Sequence, residues 1–227
     1  MAKNKNNRVS DKAIGLDVQL NKSEAFIEKN WKVIVAVLAA IIVVVAGIFI
    51  YRHHMSNKTD EANQAIAKSQ AAFGMEQYEQ ALNGDGVAEK GFLKIIDEYS
   101  GTKTANLARA YAGICYANLD RTEEAIKMLE SFDPQDDQII SPSAIAALGN
   151  CYVKNGDTEK GAETLVKAAK RASNDAVSPI FLLQAGQLYE SLDKADKALD
   201  LYKEIKDKYF RSPLASDIDK YIERATK

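Results

Sequence analysis

The 227-residue chain is poor in the residue types that build reactive centres. It has two cysteines, which excludes a disulfide framework and a Cys-rich zinc module. Its two histidines, His53 and His54, share one dipeptide, so Ser-His-Asp or Cys-His catalysis has little material. Nowhere is there a Gly-rich phosphate loop, a metal-ligand spacing or a nucleophile beside a base. No catalytic residue, cofactor-binding residue, metal ligand or cofactor is therefore expected, and the chain reads as a non-enzyme. The net charge of −2 and pI near 5.8 argue against a nucleic-acid partner. Proline is scarce too: there are four, and none precedes Pro134.

What the chain does have is one long apolar run. Val33 to Tyr51 gives 19 consecutive residues without a charge. At about 1.5 Å per residue they would span about 28 Å, close to a bilayer's hydrocarbon thickness. Trp31 and Tyr51 flank the run as interfacial aromatics, and Lys32 and Arg52 fence it with charge. A cleaved signal peptide has a shorter apolar core followed by small residues, whereas Arg52, His53, His54 and Met55 follow here. The expectation is a single membrane helix within 23–54, spanning 33–51 and contacting membrane lipid. Residues 1–32 hold seven Lys/Arg against four Asp/Glu, a charge of +3, which leaves −5 for the rest. The positive-inside bias then puts the N-terminus in the cytoplasm and the C-terminal domain across the membrane.

Residues 1–22 are polar and without apolar period, so a disordered tail is expected there. Ser23 is the candidate N-cap of the helix that enters the membrane. With no glycine between Gly47 and Gly74, that helix is expected to run on into the first helix of the following domain.

Residues 55–227 are periodic. The segments Ala112-Gly113-Ile114-Cys115-Tyr116, Leu148-Gly149-Asn150-Cys151-Tyr152 and Ala185-Gly186-Gln187-Leu188-Tyr189 place glycines 36 and 37 residues apart. Nine residues past each tyrosine stands a small residue (Ala125, Gly161, Ala198), and four beyond that a bulky one (Leu129, Leu165, Tyr202). A helical glycine costs about 1 kcal/mol relative to alanine. The cost is offset where a second helix packs too closely for a side chain, and the small residue is the expected contact. Asp120, Asp157 and Asp193 mark the intervening turns and suit helix N-caps. Ser141-Pro142, Ser178-Pro179 and Ser212-Pro213 read as serine N-caps with proline at the first helical position.

These residues resemble the tetratricopeptide repeat pattern, with its small, glycine and tyrosine positions in the first helix and small and bulky positions in the second. Repeats fall at about 105–140, 142–177 and 179–211, with a capping helix over 212–226. A degenerate copy precedes them. Its second helix, with Ala88, Phe92, Ile95 and Tyr99, matches Ala198, Tyr202, Ile205 and Tyr209, and its first helix is placed over about Asp60–Leu82. The expected fold is all-α: one N-terminal transmembrane helix, then an α-solenoid of three to four helix pairs with a C-terminal cap.

The resemblance implies a partner-binding groove lined by the first helices. It maps to Leu107, Ala110, Ile114 and Asn118, then Ser143, Ala146, Asn150, Val153 and Lys154, then Ile180, Leu183, Gln187 and Glu190. The mixed, largely apolar surface suits a helix or an extended apolar peptide. The pairs Ala110/Ile114, Ala146/Asn150 and Leu183/Gln187 lack the basic clamp of repeat proteins that capture C-terminal carboxylates. Simple packing between repeats is the competing explanation for any single groove residue. Cys115 and Cys151 read as small buried apolar residues, and His53 and His54 as interfacial anchors rather than a metal site.

The lead-in Ala25-Phe26-Ile27-Glu28-Lys29-Asn30, one membrane helix and a C-terminal repeat domain are together similar to the bacterial YfgM family. The resemblance implies an ancillary subunit of the SecYEG translocon in the inner membrane. Its periplasmic domain would partner a PpiD-type chaperone and pass it newly translocated proteins. The alternative is a general adaptor in another envelope complex, such as division or outer-membrane assembly. A membrane-bound enzyme is the weakest of the three readings.

Overall fold

In the computed structural model the backbone is described for residues 6–86 and 89–226, with side chains from Lys29 onward. Two compact units divide the chain, 1–56 and 57–227. One helix, α1 (Asn6–Gly74), supplies residues to both. It begins ahead of the expected start at Ser23: between them lies no proline and a single glycine, Gly15, so nothing interrupts helical hydrogen bonding. Residues 1–5 of the expected tail lie outside the described residues.

In the first unit the apolar run is uncovered. Val43, Phe49 and Ile50 are about seven-tenths exposed, and no residue of the most apolar window is buried. The stretch is long and apolar enough to cross a membrane. Trp31 and Tyr51, the two flanking aromatics, are exposed as well.

The second unit is a stack of helix pairs. After the end of α1 come α2 (Tyr78–Asn83), α3 (Phe92–Glu98), α4 (Lys103–Asn118) and α5 (Thr122–Glu130). Then follow α6 (Ile140–Lys154), α7 (Thr158–Ala172), α8 (Ser178–Ser191) and α9 (Ala195–Lys208). A 3-10 turn (Pro213–Asp217) and α10 (Asp219–Ala225) close the stack, in place of one uninterrupted capping helix. Ser212 does N-cap that turn, accepting from the Leu214 N–H at 3.3 Å. The fold is the expected α-solenoid.

The pairing contact differs from the one read in the sequence. A Cβ built on Gly113 would lie 2.4 Å from Leu129 Cγ, and one on Gly186 2.3 Å from the Tyr202 ring. The first-helix glycine therefore receives the bulky residue rather than the small one. Side chains on a helix lean toward its N-terminus, so the bulky group sits over the turn before its own Cα. Only in the middle pair do two glycines meet. A Cβ on Gly161 would lie 2.8 Å from the Gly149 carbonyl oxygen and 2.3 Å from Val153 Cγ2.

The turns also differ from the expected caps. Asp120 (φ 62°) and Asp193 (φ 56°) are left-handed turn residues, a conformation aspartate tolerates. Gly156 (φ 91°) takes that place in the middle pair, so Asp157 falls one position later and is the one aspartate of the three that caps, accepting from Lys160 N–H. Ser141 and Ser178 lie inside their helices. Upstream side chains cap in their stead: Asp137 Oδ1 accepts from the N–H groups of Ile139, Ile140 and Ser141 at 2.6–3.0 Å, and Asn174 Oδ1 from those of Ala176 and Val177 at 3.0 Å. The serine hydroxyls instead accept from the loop, Gln135 N–H onto Ser141 and Asn174 N–H onto Ser178.

Glu76 (φ 60°) is a fourth left-handed turn residue, 44 positions before Asp120, whereas the later turns are 36 and 37 apart. It ends the first helix of the leading pair, which stops at Gly74 rather than near Leu82. Counting from it aligns buried Ala81 with Ala125 and Ala198, and the extra residues form a loop inside the second helix. That loop splits the helix into α2 and α3, so α3 starts at Phe92; Ala88 lies outside the described residues. An antiparallel bridge between Gly84 and Lys90 closes the loop. Side chains are excluded there, since a Cβ on Gly84 or Gly91 would come within 2.1 Å of backbone oxygen. Ser69 pins the loop by donating to the Lys90 carbonyl at 2.6 Å. Lys90 reaches Glu98 (2.6 Å) and the Tyr99 hydroxyl (2.6 Å), which push its pKa up to about 12.

Two outcomes test these contacts by thermal unfolding of the full protein in detergent. Gly161→Leu should destabilise by about 1–3 kcal/mol through overpacking, whereas Gly74→Ala, with nothing within 4 Å of the added Cβ, should not; equal midpoints would refute the close approach. Asp137→Ala should cost about 1 kcal/mol. Burial pushes the Asp137 carboxyl up, but the hydrogen bonds from Ser141, Ile139 and Ile140 prevail and hold it below 3.8. A depressed folded pKa makes this contribution full at neutral pH and lost as pH falls through the depressed value. The difference between wild type and variant should therefore vanish in acid; a difference that persists would remove the carboxylate as cap.

Candidate partner-binding groove

The four left-handed turn residues set a common register for the first helices. Thirteen positions before each stand Asn63, Leu107, Ser143 and Ile180; ten before, Ile66, Ala110, Ala146 and Leu183; six before, Gln70, Ile114, Asn150 and Gln187. Two before lie Gly74, Asn118, Lys154 and Ser191. These rows form one face of the domain.

Burial sorts the sequence-derived groove residues. Ala110 (0% exposed) and Ala146 (4%) belong to the core and are closed to a partner, so packing explains both. Leu107, Ile114 and Leu183 are half-buried, each with one side against a core cluster. Ile180, Asn118, Asn150, Lys154 and Gln187 are exposed. The surface is thus a row of apolar shoulders and exposed polar tips over an alanine floor. Sequence periodicity groups these residues on one face but cannot separate floor from tips, because an alanine at this period serves either.

Two charges at the rim, Lys154 and Glu190, are paired. Lys154 binds Asp120 of the preceding turn, which draws the Asp120 carboxyl down. Glu190, largely buried, takes Arg224 of α10 in a two-point contact at 3.0 and 2.5 Å and accepts from the Tyr202 hydroxyl at 3.0 Å. Burial first, then Glu190, pushes the Tyr202 phenol up. On the opposite side each repeat tyrosine carries a cation over its ring: Arg121 on Tyr116 at 4.6 Å, Lys160 on Tyr152 at 3.8 Å, Lys197 on Tyr189 at 4.9 Å.

A cavity of about 540 Å3 opens beside Leu107, lined also by Asn63, Lys103, Thr104, Phe132 and Ile140. Sequence reasoning missed it because its walls join α1, α4 and the start of α6 to the irregular loop before α6, whose residues follow no repeat period. Cys115 and Cys151 are free and buried; burial pushes the Cys115 thiol up to about 12 and raises that of Cys151, so neither is a ready thiolate. Among the described residues no cluster of three or more His, Cys, Asp or Glu side chains is placed to hold a metal ion.

Models of the tetratricopeptide repeat match two segments, 142–175 and 181–209. The chain carries tetratricopeptide repeats. The matched segments take in most of α6 with all of α7, and most of α8 with all of α9. The same turn geometry and glycine contact extend the register to α4–α5, and the turn alone extends it to the leading pair. No curated protein matches the chain. Such repeats build protein-binding scaffolds rather than active sites, and neither match is to an enzyme family.

Proposed function

We propose that the protein is a membrane-anchored repeat scaffold that serves as an ancillary subunit of the Sec translocon and links translocated proteins to a PpiD-type periplasmic chaperone. The observation that carries the reading is an uncovered apolar helix joined to a tetratricopeptide domain whose chemistry is confined to surface. An apolar stretch exposed on every side is stable only if lipid covers it, so Trp31, Lys32, Tyr51 and Arg52 are assigned to the membrane interface. The charge of +3 over residues 1–32 supports a cytoplasmic N-terminus and a periplasmic repeat domain at the bacterial inner membrane. SecYEG and the chaperone enter through the likeness of the lead-in, single span and repeat domain to the YfgM family. Adaptor service in another envelope complex shares the anchor and groove and differs in partner alone.

Mild-detergent affinity purification from native membranes with mass spectrometry separates the two. Translocon subunits recovered with a periplasmic chaperone support the Sec reading; a division or outer-membrane assembly complex recovered in their place discards it. The groove has its own test. Ile114→Glu and Leu183→Glu put a charge on half-buried shoulders and should cut partner recovery at least fivefold while the circular dichroism spectrum is unchanged. Full recovery with either variant moves the interface elsewhere on the domain.

A further inference from the structure

We propose that the cavity beside Leu107 is a lipid site, which takes the head and the first acyl carbons of a zwitterionic phospholipid bearing a primary ammonium. It rests on the membrane anchor proposed above and not on the Sec partners.

The cavity, about 540 Å3, is of a size that holds small organic ligands. It lies where the first helices begin, between Asn63 of α1, the first turn of α4 and the loop that leads into α6. Leu107, Phe132 and Ile140 form an apolar wall. Lys103, Asp136 and Asp137 bring charge to the remainder. Asp137 is occupied: its carboxylate accepts from the N–H groups of Ile139, Ile140 and Ser141 and from the Ser141 hydroxyl, and the N-terminus of α6 offsets its charge. Thr104 is satisfied as well, donating to Asn63. Lys103 and Asp136 differ. Both are exposed, and neither side chain has an ion-pair or hydrogen-bond partner among the described residues.

One open cation and one open anion beside an apolar wall select a zwitterionic amphiphile. Lys103 is the first residue of α4, so the helix N-terminus adds to its pull on an anionic group. The phosphate therefore falls to Lys103 and the ammonium to Asp136. A purely anionic head would leave Asp136 facing like charge, and a purely cationic head would do the same to Lys103. The lining also sets the type of ammonium. A quaternary ammonium has no N–H and is held by aromatic cages, whereas Phe132 is the one aromatic among the described lining residues. A primary ammonium has three N–H donors, which a carboxylate accepts. The acyl carbons account for the apolar wall, which a free head group would leave in water. Asn63 follows Arg52, assigned to the membrane interface, by eleven residues. The site is thus carried on a short tether from a bilayer, where phospholipid is the concentrated amphiphile. Once the anchor is inserted, high effective concentration favours this second attachment.

The experiment is native mass spectrometry of the full protein in mild detergent, titrated with phosphatidylethanolamine, phosphatidylcholine or phosphatidylglycerol of equal chain length. Phosphatidylethanolamine should give one saturable adduct, with the choline and glycerol heads at least fivefold weaker. Lys103→Met and Asp136→Asn should each weaken that adduct about tenfold; both positions are exposed, and an unchanged circular dichroism spectrum verifies the fold. Asp136→Lys should turn the preference to phosphatidylglycerol. Equal adducts from the three lipids, which a non-selective belt around the membrane helix would give, overturn the proposal, as does full binding by either neutralised variant. Free leucine or phosphoethanolamine competing as strongly as the lipid would also overturn it, by making the site one for a soluble zwitterion. Carbonate extraction of membranes reports the anchor separately. Wild-type protein that is released removes the anchor reading; protein that stays in the membrane yet gives no selective adduct removes the lipid site alone.

Discussion

Three of the four helix pairs depend on one constraint: a first-helix position where a side chain is not tolerated. At Gly113, Gly149 and Gly186 the second helix lies so close that a Cβ would meet Leu129, the Gly161 carbonyl with Leu165, or Tyr202. The loss of helix propensity, about 1 kcal/mol per glycine, is offset by burying a Leu or Tyr completely or nearly so. Once that distance is set, the turn between helices must be short. A single left-handed residue makes it, whether Glu76, Asp120, Gly156 or Asp193. The same turn fixes the rotation of each first helix and hence which residues reach the outer face.

Neighbouring pairs are held together at their connecting loops as much as in the core. Asn106 and Asp133 exchange two hydrogen bonds, at 2.7 and 2.9 Å. Arg171 donates to the carbonyls of Pro134 and Gln135, and Asn174 to that of Gln138. These bonds consume loop carbonyls that would otherwise face solvent. The surface ion pairs add little individually. At the groove they tie Lys154 to Asp120 and Glu190 to Arg224.

Anchor and groove divide the functional problem. An uncovered apolar helix can locate the domain at a bilayer without contributing specificity. The repeat face can supply specificity through shape and hydrogen bonding, and both thiols are buried. Such a protein acts by where it is and what it holds.

Periodicity was enough to read the all-α class, the three regular pairs and the apolar span, because each rests on residues repeated at a constant interval. It failed where the interval broke. The extra residues between Glu76 and Asp120 hid the leading pair's register, which a left-handed turn reveals in three dimensions. It also assigned the caps to Ser141 and Ser178, since a serine before proline is a local signal; the fold gives those roles to Asp137 and Asn174, which reach more N–H groups at once. Among the candidate groove residues, spacing gave a common side of the first helices, and packing alone separated buried Ala110 and Ala146 from exposed Asn150 and Gln187. Spacing along a chain states which side of a helix a residue occupies; how far it stands from the next helix depends on the neighbour's side chain, and that is a property of the packed structure.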